Sequence, residues 1–259
     1  MITLEVCCGG FADAAAAQKG GASRVELNSA LSLGGLTPDI GSLVLCKEEL
    51  EIPVVAMVRP RGGGFCYTQE EYSVMKKSAE VLLREGADGL AFGFLTKERE
   101  VDEARTREFV EQIHAHGREA VFHRAFDCVV SMEKAVEALI SAGVDRLLTS
   151  GMEDTALHGM ECLRKLQDTY GQEIEILAGA GIRCENVGQL LSGTGVRQVH
   201  SSCKGYGEDR TARGAGVQFD YAGIPQWYCY EVVAEEEVVR MRREISKFVS
   251  GPSIKNAET

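Results

Sequence analysis

The chain has 259 residues, with 28 Lys+Arg against 39 Asp+Glu and a formal net charge of −11. An acidic surface repels phosphate backbones, so no nucleic-acid partner is expected. No apolar run approaches the ~20 residues of a membrane span, so no membrane partner is expected either. The opening MITLEVCCGG lacks a basic n-region and reads as a strand, not a signal peptide. The nine cysteines, at 7, 8, 46, 66, 128, 162, 184, 203 and 229, are odd in number and irregular in spacing, with no CxxC. They read as reduced thiols of a cytoplasmic protein, most of them small buried hydrophobes.

In chain order, strand-like runs fall at residues 3–7, 24–27, 54–59, 89–93, 120–123, 146–149, 174–178 and 198–201. Helical stretches separate them. Residues 12–19 are alanine-rich and close on Gly20-Gly21. Pro38 occupies a helix-start position with Thr37 as its N-cap. Thr68 and Glu71 form a capping box for a helix through Arg84, which Gly86 closes. Further helices cover 102–116, a stretch capped by Ser131 and ending at Gly143, 161–170, 186–191 and 235–249. Strict β/α alternation implies a parallel sheet. Eight such units match an α/β chain with a single-domain (β/α)8 TIM-like barrel over residues 1–249. A doubly wound sheet would carry GxGxxG after its first strand, where this chain has Cys7-Cys8-Gly9-Gly10-Phe11. Residues 202–230 read as a long Gly/Arg/aromatic loop after strand eight, and 250–259 as a flexible C-terminal tail.

In a barrel, the C-terminal strand ends build the site. Those positions are polar here. Side chains alternate along a strand, so Glu5 and Cys7 face the barrel mouth while Leu4 and Val6 face helices. The same parity turns Glu26, Asn28 and His200 inward. Glu5, Glu26, His123 and Asp127 are the candidates for acid–base work in an enzyme. Arg59 and Arg61 beside Gly62-Gly63-Gly64, Arg124, and the loop glycines Gly179 and Gly181 with His200, Ser201 and Ser202 form a candidate anion site. A structural alternative has Glu5 and Glu26 neutralising Arg59 and Arg124 across the barrel top. No lysine ends a strand, which disfavours a Schiff-base aldolase. Thiolates suit Cu(I), and strands one and eight are neighbours in a closed barrel, so Cys203 can approach Cys7 or Cys8.

The sequence resembles the CutC family, called copper homeostasis proteins. The resemblance rests on Leu4-Glu5-Val6-Cys7-Cys8, Arg24-Val25-Glu26-Leu27, Gly34-Gly35-Leu36-Thr37-Pro38, Arg59-Pro60-Arg61-Gly62-Gly63, Phe122-His123-Arg124-Ala125-Phe126-Asp127, Leu148-Thr149-Ser150-Gly151 and Val199-His200-Ser201-Ser202. It implies a TIM-like barrel, a cytoplasmic location and Cu(I) binding through cysteines at the barrel mouth, carried here by Cys7 and Cys8. Two positions depart from the family pattern: Asn28 stands where many members have Cys, and Gly64 where many have Asp. Cys203 is the candidate replacement for the missing thiol. The expected partner is therefore a copper ion, or else a small anionic metabolite taken by a barrel enzyme or binder. Homo-oligomerisation is left open.

Overall fold

The computed structural model describes residues 2–219 and 224–249. Eight parallel strands close into a barrel: β1 (Thr3–Cys8), β2 (Arg24–Leu27), β3 (Val54–Met57), β4 (Gly89–Phe92), β5 (Glu119–Phe122), β6 (Arg146–Thr149), β7 (Glu175–Ala178) and β8 (Gln198–Ser201). Helices α1 (Phe11–Lys19), α2 (Ile40–Glu49), α3 (Gln69–Arg84), α4 (Glu103–His114), α5 (Met132–Ala142), α6 (Met160–Tyr170), α7 (Val187–Thr194) and α8 (Glu235–Val249) alternate with them. This is the expected single-domain (β/α)8 barrel. Closure comes from β1 on β8, with Thr3 opposite Gln198 and Glu5 opposite His200. On the other side β1 pairs with β2, Glu5 opposite Arg24 and Cys7 opposite Glu26.

Local chemistry sets the helix ends. The Thr68–Glu71 capping box is present on α3, and Ser131 caps α5 by accepting from the Lys134 N–H. Gly143 stops α5 at φ 81°, a left-handed position that side chains disfavour. Two expectations change. Asp39, not Thr37, caps α2, accepting from the Ser42 N–H. The Thr37 hydroxyl instead donates to the Arg59 carbonyl and accepts the Arg59 N–H, both at 3.0 Å, fastening that chain to the end of β3. The other change is in the long loop. Its ends form an antiparallel ribbon of β9 (Lys204–Glu208) and β10 (Cys229–Val233), Lys204 opposite Val233. Asp13 of α1 accepts the Val233 N–H at 2.8 Å and anchors the ribbon. Residues 250–259, read as a tail, lie outside the described residues.

The main apolar core lies between strands and helices, with Leu4, Val6 and Cys8 of β1 in it. Inside the barrel a small separate plug of Val55, Met57, Ala91 and Val121 fills the β3–β5 side. The other half of the interior is charged. Arg146 bridges Glu119 at 3.0 Å and Glu175 at 2.9 Å at the strands' N-terminal ends.

Four rings knit β4 and β5 to α4: Phe92 sits 4.8 Å from Phe109 and 5.9 Å from Phe122, and Phe94 sits 5.2 Å from Phe109. Removing a fully buried ring leaves a cavity as well as losing transfer energy. Phe109→Ala is expected to cost about 3–5 kcal/mol in urea unfolding.

Candidate functional site

The C-terminal strand ends open into a cavity of about 940 Å³. One wall is built by β1, β2 and β8. Alternation on β1 places Glu5 and Cys7 inward, and β8 brings His200 beside them. The Glu5 carboxylate is 1% exposed and is shared by two cations. Arg24 binds it through Nε, and His200 Nδ1 lies 2.8 Å from its Oε1. Burial alone would raise the carboxyl, but Arg24 and His200 outweigh it and hold Glu5 down at about 2. Arg24 also donates to Gln198 at 2.9 Å.

With Nδ1 tied to Glu5, the other His200 nitrogen faces Cys7 and Glu26. One ligand-type atom from each of Cys7, Glu26 and His200 lies within 4.8 Å of the others, and His200 Nε2 is 3.9 Å from Glu26 Oε2. Asn28 braces this trio: its Nδ2 donates to Glu26 Oε2 at 2.9 Å and approaches Cys7 Sγ at 3.6 Å. Burial pushes the Glu26 carboxyl and the Cys7 thiol up, with His200 working against it in both cases. Burial works against charging His200 too, but Glu26, Cys7 and Glu5 overcome it and raise it well above the usual imidazole range. The site favours positive charge at the imidazole's position.

The opposite wall comes from the ends of β3 and β5. Arg59 sends Nη1 to the Leu33 and Gly35 carbonyls at 2.9 and 3.1 Å, and Nη2 to the Gly63 carbonyl at 2.7 Å. His123 accepts the Ala125 N–H on Nδ1 at 3.2 Å, so its neutral form carries the proton on Nε2. On this wall the Phe65 ring packs against both, 5.1 Å from the Arg59 guanidinium and 5.1 Å from the His123 ring.

Several expected site residues sit elsewhere. The alternation that turns Cys7 inward turns Cys8 outward, into the core, its thiol donating to the Val6 carbonyl. Cys203 lines the cavity but stands apart from the Cys7–Glu26–His200 trio, with the Cys184 thiol and the Glu237 carboxylate as its neighbours. Arg61 turns away from the cavity onto Glu71 of α3, 2.5 Å away. Arg124 lines the cavity, yet its Nε is paired with Asp127 at 2.8 Å and its Nη2 donates to Ser150 Oγ. Asp127 is saturated: it accepts from Arg124, Thr149 Oγ1 and the Ser150 and Met152 N–H groups, and so clamps the loop after β6. Glu5 likewise serves Arg24 and His200, not Arg59 or Arg124 as the ion-pair alternative supposed. Gly179 leaves room for Leu148 of β6, whose Cδ1 lies 2.7 Å from where a side chain would begin. Gly181 and Ser202 line the cavity, as does Ser201, whose hydroxyl is spent on the Ile182 carbonyl. Arg24 opens its strand, and its parity with Glu26 is the sequence signal that turns it toward Glu5.

The model of the CutC family matches residues 2–205. The chain belongs to the CutC family. A CutC-family protein of Treponema denticola is 41% identical over 245 residues, covering 94% of this chain and 99% of that one. The human copper homeostasis protein cutC homolog is 38% identical over 223 residues, 85% of this chain and 78% of its own. The crystal structure of CutC from Streptococcus agalactiae aligns with a TM-score of 0.73 at 30% identity, covering 78% of this chain and 99% of that one. Among the described residues no helix is long and apolar enough to cross a membrane.

Two outcomes follow from the buried charges. Removing one partner of a buried pair strands the other, so Arg24→Met should cost about 3–5 kcal/mol in chemical unfolding. The double change Glu5→Leu/Arg24→Met should recover most of that loss. His123, in turn, is lowered to about 3, by burial first and by the Arg59 cation second. The unfolded chain takes up this proton near pH 6.5, so the folded state loses stability as pH falls from there toward 3. A denaturation series across that range should show the slope, and His123→Phe should flatten it.

Proposed function

We propose that this CutC-family chain binds copper as Cu(I) at the inner end of the cavity, with Cys7 and His200 as ligands and Glu26 beside them. The observation that carries this reading is the carboxylate on the far side of the imidazole. Metal-ligating histidines almost always give their second nitrogen to a carboxylate or carbonyl, which fixes the ring and raises its basicity. Glu5 stands in that relation to His200 at 2.8 Å, leaving the other nitrogen turned toward the thiol. A thiolate with an imidazole suits copper among the first-row ions. The carboxylates that favour a protonated His200 favour a metal cation in the proton's place. Burial of the Cys7 thiol disfavours a bare thiolate, so the metal must displace the proton as it enters. This reading replaces the Cys7–Cys203 pair with a single thiol and an imidazole, and it removes Cys8 from the site. The names of the human and other relatives support copper over other cations.

Anaerobic competition with a chromophoric Cu(I) chelator tests the reading. One Cu(I) per chain is expected. Cys7→Ser should abolish tight binding, and Glu5→Gln should weaken it by about 10–100-fold through His200 alone. Cys8→Ser and Cys203→Ser should bind as the wild type does. Undiminished binding in Cys7→Ser, or loss in Cys203→Ser, would overturn it.

A further inference from the structure

The wall of the cavity opposite Cys7 holds a buried cation with no counter-ion among the described residues. Arg59 is 6% exposed. Its guanidinium meets only neutral carbonyls at its two terminal nitrogens, and its Nε has no hydrogen-bond partner. The nearby Tyr67 hydroxyl approaches the guanidinium without closing a full hydrogen bond and supplies no charge. Among the described residues no carboxylate forms an ion pair with Arg59. Burying an unpaired charge is among the most costly arrangements in a fold.

The carboxylates around the cavity are already committed. Asp127 holds Arg124, Glu231 holds Lys204, and Glu185 and Glu237 share Arg240. Asp13 accepts the Gly9 and Val233 N–H groups, and Glu26 serves Asn28 and His200. Arg183 lines the cavity as an exposed second cation without an ion pair among the described residues. Arg59 is therefore left as a buried cation that none of these carboxylates neutralises, within a protein whose net charge is −11.

Two further polar atoms of cavity-lining residues are orphaned. His123 is 3% exposed, and its Nε2, which carries the proton, has no partner. Asn28, 1% exposed, has an unpartnered Oδ1. Buried polar groups are paired in folded proteins, and each exception asks for a reason. The cation and the neutral N–H donor share a single reason if an anionic ligand completes both, whereas the Asn28 Oδ1 packs against Gly35. The volume of about 940 Å³ far exceeds a metal ion and falls in the range of small-molecule sites.

We propose that the cavity binds a small organic oxyanion, a carboxylate or a phosphate monoester, through the Arg59 guanidinium and the His123 Nε2–H. The inference does not rest on the copper reading, because neither Arg59 nor His123 belongs to the Cys7–Glu26–His200 trio. A carboxylate and a phosphate monoester offer the same acceptor chemistry to these donors, and the choice between them is experimental.

The test uses metal-free full-length protein, labelled with ¹⁵N and followed by NMR at the arginine Nε–H and histidine ring resonances. Glycolate and methyl phosphate are titrated separately. Saturable shifts of the Arg59 Nε–H and His123 Nε2 signals by one of them at millimolar concentration are expected, and the probe that acts names the class. His123→Phe, which keeps the ring stacked near Phe65, should weaken that binding by about 10-fold or more, as expected for losing one hydrogen bond to a charged group. Cys7→Ser should bind the oxyanion as the wild type does, whatever happens to copper. Absence of saturable shifts with both probes overturns the proposal. So do shifts confined to Arg183 at the rim, or loss of oxyanion binding in Cys7→Ser. Loss of copper binding in Cys7→Ser with oxyanion binding retained separates the two readings.

Discussion

The interior depends on one carboxylate. Glu5 lies almost wholly out of water, where an ionised group costs several kcal/mol unless it is paired. Both of its cations come from register partners: Arg24 opposite it on β2 and His200 opposite it on β8. The second partner exists only because the barrel closes. Pairing Glu5 is thus coupled to joining β1 with β8, and the same contact turns His200 toward Cys7. Stability and site geometry share one interaction.

From that centre the cavity divides by charge. The β1, β2 and β8 wall carries Glu5, Glu26 and the Cys7 thiol around an imidazole that prefers to be positive. The β3 and β5 wall carries Arg59 and a His123 that burial and Arg59 keep neutral. The first wall gathers the buried carboxylates and the second holds the buried guanidinium. The β9–β10 ribbon adds Tyr206, Val232 and Val233 to the lining and is tied to α1 through Asp13, so the cavity is walled beyond the barrel itself.

Much of this was legible in the sequence, for physical reasons. Glycine stops and β-branched runs mark β/α units, and period-two alternation points Glu5, Cys7, Glu26 and His200 inward. The same rule applied one residue further sends Cys8 outward, so proximity in sequence to Cys7 was misleading. Arg61, Arg124 and Asp127 were harder, because alternation ends where the strand ends. Beyond β3 the Arg61 side chain finds Glu71, which the capping box of α3 has already placed. Asp127 lies in a 3₁₀ turn, Arg124–Cys128, aimed at the backbone of the next loop. The ribbon was hidden because Gly205 and Gly207 sit on one face of β9. Side chains there would meet Ala234 at 2.8 Å and Tyr230 at 2.5 Å, so the strand lacks the β-branched signature. Which buried donors stay unpaired is invisible in a sequence; it depends on where every other acceptor goes.

Glu5 orients His200 toward a single thiol, Cys7, and the proposed copper site depends on that contact. X-ray absorption at the copper edge of the Cu(I)-loaded protein tests it most directly. The account predicts one sulfur scatterer with at least one imidazole nitrogen, the nitrogen signal being lost in His200→Ala. Two sulfur scatterers with no imidazole contribution would contradict it.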